Sequence, residues 1–252
     1  MLDTALILAA AFVAGALNSV AGGGSFLTLP ALVFIGVPPV VANATGTVAL
    51  LPGYMAGAWG FREDMQPPPG LSMRAVVLLS LIGGSAGAAL LLVTSDAVFR
   101  KLVPWLLLVA TALFAFGPQL RQWAGGSGGH DSGAPSVAKA AFGMLVVAAY
   151  GGYFNGGLGI LLLALFGLLG QTQLNAMNGM KNLVSALLTA IAVVIYAVGD
   201  IVFWREALIM MVAATLGGYG GARVARRLPP AVLRWGIVAT GLVMAALFFW
   251  KQ

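Results

Sequence analysis

Two glycine-rich stretches interrupt apolar sequence and bring small and polar residues together: Asn18, Gly22, Gly23, Gly24 and Ser25 in the first, and Asn155, Gly156 and Gly157 in the second. Each stretch precedes a further apolar run, which predicts a helix that begins near Ser25 or Leu158. The free N–H groups at such a helix start, together with the positive end of the helix dipole, attract an anion. We therefore predict that both stretches contact an anionic substrate. The alternative is that the glycines only permit close helix packing.

Lys181 is the one charged residue that falls well inside a predicted membrane span. A charge at that depth is costly unless it finds a partner, and it marks a functional site by default. No acidic residue falls deep in a span, so the partner would be backbone carbonyl groups, water or a bound anion. Two alternatives stay open. The side chain could reach back to the cytoplasmic boundary, or it could activate Ser185, one turn further on, as the nucleophile of a membrane enzyme.

Polar side chains also follow each glycine-rich stretch: Asn43, Thr45 and Thr47 behind the first, and Asn175, Asn178 and Asn182 behind the second. Neutral amide and hydroxyl donors bind an oxyanion more weakly than several arginines do. Binding by several arginines would slow release of the anion. We predict that Asn43, Thr45, Thr47, Asn178 and Asn182 contact substrate. The alternative is hydrogen bonding between helices.

Several kinds of chemistry lack the residues that they need. The chain has no cysteine and a single histidine, His130, which excludes thiol catalysis, thiolate metal sites and a histidine cluster. The carboxylates fall in loops or at span ends, so no proton relay crosses the membrane. We expect no metal, no cofactor and no enzyme activity. A cation held by unwound backbone carbonyls in the glycine-rich stretches remains an alternative.

The composition defines the elements that must position these residues. Of 252 residues, 60% are hydrophobic and 8% charged, whereas soluble domains carry about 25% charged residues. Uncharged runs approach the ~20 residues of a membrane-spanning helix and lack the alternation of a barrel strand. The sequence predicts an all-α polytopic membrane protein whose partner is the lipid bilayer. The net charge of +6 reflects loop orientation rather than a nucleic-acid partner.

The chain resembles itself at an offset of 134 residues, where Gly83-Gly84-Ser85-Ala86-Gly87-Ala88 aligns with Gly217-Gly218-Tyr219-Gly220-Gly221-Ala222. Such internal symmetry is typical of secondary transporters. We predict a first membrane repeat over 1–120, a Gly/Ser-rich linker over 121–136 and a second repeat over 137–252. In each repeat a broken hairpin, 4–36 or 137–169, has its glycine-rich turn inside the membrane. Three transmembrane helices follow each hairpin.

The distribution of Lys and Arg favours repeats of inverted topology. Four arginines lie between Arg223 and Arg234, so this loop is assigned to the cytoplasm. With inverted repeats, eight basic residues lie inside and four outside, whereas parallel repeats place six on each side. The inverted arrangement agrees better with the positive-inside rule.

The segment Asn18-Ser-Val-Ala-Gly-Gly-Gly-Ser-Phe-Leu-Thr-Leu-Pro-Ala-Leu32, followed by Val41-Ala-Asn-Ala-Thr-Gly-Thr47, resembles the TauE/SafE family of bacterial inner-membrane permeases. The second half carries the weaker partner motifs Gly152-Tyr-Phe-Asn-Gly-Gly-Leu-Gly159 and Asn175-Ala-Met-Asn-Gly-Met-Lys-Asn182. The resemblance covers nearly the whole chain. It implies a multi-pass inner-membrane protein that exports sulfite or a sulfonate-derived anion.

Membership of that family would indicate that the protein is a permease, but it indicates less firmly which anion is transported. A passive anion channel and an uptake permease for the same anions remain alternatives. The glycine faces near Gly83 and Gly217 would serve internal packing or a homodimer interface equally well.

Overall fold

The computed structural model describes residues 2–20, 22–126, 136–225 and 230–250. Within these ranges the chain forms ten helices and no strand, which confirms the all-α prediction. The helices are α1 Leu2–Val20, α2 Ser25–Phe34, α3 Pro39–Gly60, α4 Met73–Leu92, α5 Asp96–Gly126, α6 Val137–Tyr153, α7 Leu158–Leu168, α8 Leu174–Val198, α9 Trp204–Ala225 and α10 Pro230–Trp250.

The two long apolar segments are each broken into a pair of helices. α1 and α2 are separated by a turn at the first glycine-rich stretch, and α6 and α7 by a turn at the second. The second helix of each pair begins at Ser25 or Leu158, as predicted. Within each pair the two helices pack on each other.

Two of the described helices, Met73–Leu92 and Leu174–Val198, are long and apolar enough to cross a membrane by length and composition alone. Shorter apolar helices surround them, including both members of each broken pair. Large hydrophobic side chains such as Phe142, Leu216 and Trp105 are exposed on the outside. An apolar exterior of this kind is typical of a protein that lipid surrounds.

Helix packing repeats when the two halves of the chain are exchanged. α1 packs along α9, and its counterpart α6 packs along α4; likewise α4 packs on α8, and α9 on α3. α5 contacts α7 as α10 contacts α2. The contacts of α3 with α8 and of α5 with α10 each join two corresponding helices, so exchange of the halves leaves them unchanged. Each half therefore completes the packing of the other.

The glycine faces of α4 and α9 are internal contacts. A Cβ on Gly83 would lie 2.6 Å from the Ala148 Cβ on α6, and one on Gly84 would lie 2.8 Å from the Leu188 Cβ on α8. A Cβ on Gly217 would collide with the Phe12 carbonyl oxygen on α1. These glycines were predicted to serve either internal packing or a homodimer interface, and the contacts observed for Gly83, Gly84 and Gly217 are internal packing.

Parts of the predicted linker and loops lie outside the described residues. α5 continues through Gly126, and residues 127–135 of the linker, including His130, are not among those described. The same holds for Arg226 and Arg227 of the loop assigned to the cytoplasm.

Candidate functional site

The first tip (residues 22–25) is the turn that starts α2. All four residues are buried. Gly22 has a φ of 79°, a backbone conformation that glycine adopts readily and that is strained for residues with a Cβ atom. No described group accepts a hydrogen bond from the N–H of Gly23 or Gly24. The Ser25 hydroxyl is also buried without a hydrogen-bond partner in the described ranges. The first tip therefore offers unused donors at a helix N-terminus.

The second tip (residues 154–157) is the turn that starts α7. Asn155 and Gly157 have φ values of 60° and 72°, in the left-handed region. A non-glycine residue there is uncommon, and asparagine is among the side chains that tolerate it best. The N–H groups of Gly156 and Gly157 find no acceptor among the described residues. Asn155 is 1% exposed, and its Nδ2 has no described partner.

The two tips meet inside the protein. A Cβ on Gly22 would lie 3.0 Å from the Cα of Gly159, in the first turn of α7. Tyr54 of α3 lies at this meeting point: its hydroxyl donates to Asn155 Oδ1 at 3.3 Å. Asn18, near the end of α1, lies beside the same part of α3, where a Cβ on Gly53 would lie 4.0 Å from Asn18 Nδ2. The Asn18 Oδ1 atom is buried and has no partner in the described chain.

Side chains satisfy one carbonyl group of the second tip and two in the preceding turn of α6, and leave the Gly156 and Gly157 amides unused. The Tyr150 hydroxyl donates to Gly156 O at 2.6 Å, and the Tyr196 hydroxyl donates to Gly152 O. Asn43 Nδ2 donates to Tyr153 O at 2.9 Å. Because the carbonyl oxygens are engaged while the N–H groups are not, the second tip presents donors. This arrangement suits an anion better than a cation held by carbonyls.

Lys181 is buried in the second turn of α8, and its side chain is 3% exposed. Among the described residues it makes no ion pair and no hydrogen bond. The one ion pair in the described ranges joins Arg62 and Glu63, which are adjacent in sequence and exposed. Its neighbour Asn182 packs against Gly57 of α3, where a Cβ would lie 2.6 Å from Asn182 Nδ2. Lys181 is therefore largely enclosed by other helices, and its charge lacks a described counter-ion.

The polar residues behind the tips separate into two groups. Asn43 and Thr47 are buried on α3, while Asn178 and Asn182 are half-buried on α8. Thr45 is buried elsewhere, because its hydroxyl accepts a hydrogen bond from the Phe203 N–H at 3.0 Å, next to the start of α9. The structure thus places Thr45 on a helix contact and does not bring it to the tips.

Aromatic rings hold the second tip in place. Phe99 of α5 packs edge-on against Tyr153, with 5.7 Å between ring centroids, and lies 6.5 Å from Phe154. Tyr150 packs edge-on against Phe154 at 6.1 Å. The turn that carries the unused amides is therefore fixed by a contact with α5.

The sequence profile of the family described as "Sulfite exporter TauE/SafE" matches residues 7–248. The chain belongs to the TauE/SafE family. A "Probable membrane transporter protein" of Haemophilus influenzae is 28% identical, over 98% of this chain and 95% of its own length. A "Probable membrane transporter protein ORF9" of Sinorhizobium is 26% identical, over 96% and 90% of the two chains. "Probable membrane transporter protein YfcA" of Escherichia coli is 25% identical, over 94% and 86%.

These similarities establish a membrane transporter of the TauE/SafE family and indicate transport rather than enzyme activity. The tyrosines that organise its tips, Tyr54, Tyr150 and Tyr196, were not predicted from the sequence. A signal existed for Tyr54, which lies seven residues after Thr47 and eleven after Asn43, and therefore on the same helix face. No comparable pattern indicates Tyr150 or Tyr196.

Proposed function

We propose that this TauE/SafE protein is a secondary transporter that exports a small sulfur-containing anion, such as sulfite or a sulfonate, across the bacterial inner membrane. The anion binds between the two tips, and the site alternates between the two sides of the membrane. The observation that carries the proposal is the excess of unused donors there, together with engaged carbonyl groups at the second tip.

The proposed substrate contacts combine weak donors with one charge. The tip residues, including Ser25 and Asn155, supply amide and hydroxyl donors, and Lys181 supplies the positive charge. Asn18 would contact the anion through its Nδ2 group, because its unpartnered atom, Oδ1, is an acceptor. Burial of a cation without a counter-ion costs free energy, and a bound anion would offset that cost. Neutral donors allow release once the site opens, which transport requires. Thr47, Asn178 and Asn182 extend this set along α3 and α8.

The family description supports the choice of cargo, because it names a sulfite exporter. The relatives are described only as probable membrane transporters, which leaves the anion and the direction of transport to experiment.

The exchange of helix contacts between halves supports an inverted repeat. If each broken pair enters and leaves on one side, three crossings remain in each half, and an odd number inverts the second half. The contacts of α3 with α8 and of α5 with α10 then lie on the pseudo-twofold axis. Rocking of such halves about a central site is a general mechanism of secondary transporters.

The test is counterflow of radiolabelled sulfite into liposomes that contain the purified protein and unlabelled sulfite. Sulfate, thiosulfate and small sulfonates are added as competitors. Lys181→Met removes the buried charge, and Lys139→Met makes the same change at an exposed position at the start of α6. We expect saturable counterflow that Lys181→Met weakens and Lys139→Met leaves intact.

Other outcomes contradict specific parts of the proposal. Flux without counterflow would indicate a passive channel. Net accumulation of sulfite by cells that express the protein would indicate an uptake permease. Absence of flux for every anion tested would remove the proposed cargo while leaving the family assignment unchanged.

A further inference from the structure

Two buried hydroxyl groups on α8 have no described partner and play no part in the site described above. Ser185 is 1% and Thr189 0% exposed, and neither hydroxyl hydrogen-bonds any group in the described ranges. Other hydroxyls on helices bond a carbonyl one turn earlier: Ser80 donates to Val76 O at 2.6 Å, and Thr215 to Met211 O at 2.8 Å. Ser185 and Thr189 do not use this common solution.

The packing of α3 on α8 places these hydroxyls at the level of the tips. Gly57 faces Asn182, and Phe61 faces Gly179, so the two helices run antiparallel. One turn further into the protein, Ser185 on α8 comes opposite Tyr54 on α3. Because Tyr54 bonds Asn155 of the second tip, Ser185 lies at the depth where the two tips meet.

The same hydroxyls lie in line with the buried charge. Lys181, Ser185 and Thr189 are spaced by four residues, which places them one above another along a helix. Thr189 also follows Asn182 by seven residues, two turns later on the face that contacts α3. The row therefore begins at Lys181 and reaches the α3–α8 contact at Thr189.

We propose that Ser185 and Thr189 donate hydrogen bonds to the transported oxyanion and form, with Lys181, the α8 wall of its binding site. The inference rests on the proposed function, because it assigns further contacts to the same site. The ligand class is a small oxyanion with several oxygen acceptors. Each hydroxyl can rotate from one oxygen to the next while the anion moves along the row. Lys181 supplies charge at one end of the row, and the neutral hydroxyls allow the anion to leave it.

The absence of cysteine from the chain allows the position of the row to be tested directly. Ser185→Cys and Thr189→Cys each introduce a single thiol. The matched control is Thr111→Cys on α5, because Thr111 is 3% exposed and its hydroxyl also lacks a described partner, but it packs against Gly241 of α10. The probe is sulfonatoethyl methanethiosulfonate, an anionic reagent that needs an aqueous path to reach a thiol.

In liposomes, we expect the reagent to label Ser185→Cys and Thr189→Cys at least about tenfold faster than Thr111→Cys, and a small sulfonate such as methanesulfonate to slow the labelling of both. Sulfite and thiosulfate are not used as protectants, because both react with the reagent itself. Equal rates at all three positions would overturn the inference whatever ion is transported. Fast labelling that neither a small sulfonate nor sulfate slows would also overturn it, because the row would then contact only water. The proposed function fails separately, through absence of counterflow in the unmodified protein.

Substitutions that keep the size of the side chain test the donors themselves. Ser185→Ala and Thr189→Val are each expected to raise the KM of sulfite counterflow about tenfold, the usual effect of losing a hydrogen bond to a charged group. Thr111→Val is the control and is expected to leave KM unchanged. A KM unchanged in both α8 variants, with their thermal unfolding also unchanged, would contradict the inference.

Discussion

At the scale of single residues, the site is defined by donors that the protein leaves unused. Buried polar groups normally find partners, yet Ser25 and Asn155 each retain a free donor near the meeting point of the tips, and Asn18 retains a free acceptor, Oδ1. Nearby carbonyl groups are engaged by side chains, so this is not a general shortage of partners. Lys181 adds a charge that no described residue balances. We expect a bound anion to stabilise residues held in this way.

Lys181→Met should therefore separate stability from transport. Removal of an unpaired charge that costs about 2.5–3.5 kcal/mol at a membrane helix centre should raise the midpoint of thermal unfolding in detergent by several degrees. The same change should weaken sulfite counterflow, because the anion loses its positive partner. Thermal unfolding and counterflow are measured on the same preparation. A variant that is less stable than the unmodified protein would show that Lys181 has a structural partner.

Tyr54→Phe tests the link between the tips. The substitution removes a hydroxyl that bonds Asn155 Oδ1, at a stability cost of about 1 kcal/mol for a neutral hydrogen bond. Because the Asn155 amide is then free to rotate, we expect a raised KM for sulfite. Tyr153→Phe is the control, since it keeps the ring contact with Phe99 and its hydroxyl bonds no described group. Equal KM values for the two variants would contradict a positioning role for Tyr54.

The residue types of the site could be predicted from the sequence, but their distances could not. Asparagines and glycines beside a predicted helix start indicated a polar turn, and the structure places Asn18 and Asn155 around Tyr54. Thr45 shows why the rest could not be predicted. Asn43, two residues earlier, bonds Tyr153 O next to the second tip, but the direction of Thr45 depends on its bond to Phe203 before α9, 158 residues away.

At the scale of helices, small residues determine how closely the elements approach. A Cβ on Gly217 would collide with the Phe12 carbonyl group, whereas one on Gly218 would lie 3.6 Å from Gly15 O, an ordinary contact. Adjacent glycines in one helix therefore have different roles. The sequence predicted both as packing residues and could not distinguish them, because the distinction depends on the rotation of α9 against α1.

Gly217→Ala and Gly218→Ala form a matched pair for this contact. We expect Gly217→Ala to destabilise the protein by about 1–3 kcal/mol, the usual cost of overpacking. Gly218→Ala should be neutral or slightly stabilising, because alanine favours a helix by up to about 1 kcal/mol. Thermal unfolding in detergent measures both. Equal loss of stability in the two variants would show that α1 and α9 do not pack as described.

At the scale of the whole molecule, the helices could be predicted better than their arrangement. The starts of α2, α3, α7 and α8 follow from local signals such as glycine turns and prolines. The assembly of the halves depends on contacts between residues far apart in sequence, such as those of α1 with α9. The offset of 134 indicates that the halves are related, but only the count of basic residues favoured inverted over parallel orientation.

Single cysteines test that orientation. Asp64→Cys lies in the loop between α3 and α4, and Arg205→Cys lies in the first turn of α9, after the loop between α8 and α9; both positions are exposed. Inverted repeats place these two positions on opposite sides of the membrane. A membrane-impermeant maleimide should label Arg205→Cys in intact cells and Asp64→Cys only after the cells are permeabilised. Labelling of both in intact cells would indicate parallel repeats.

The most direct test of the central claim is the position of the bound anion. Selenite has the pyramidal shape of sulfite, and its selenium atom scatters X-rays anomalously. In crystals grown with selenite, we predict an anomalous peak between the two tips, within hydrogen-bond distance of the Gly156 or Gly157 amide and bordered by Lys181. A peak confined to exposed arginines, from a protein that counterflow shows to transport selenite, would contradict a binding site at the tips.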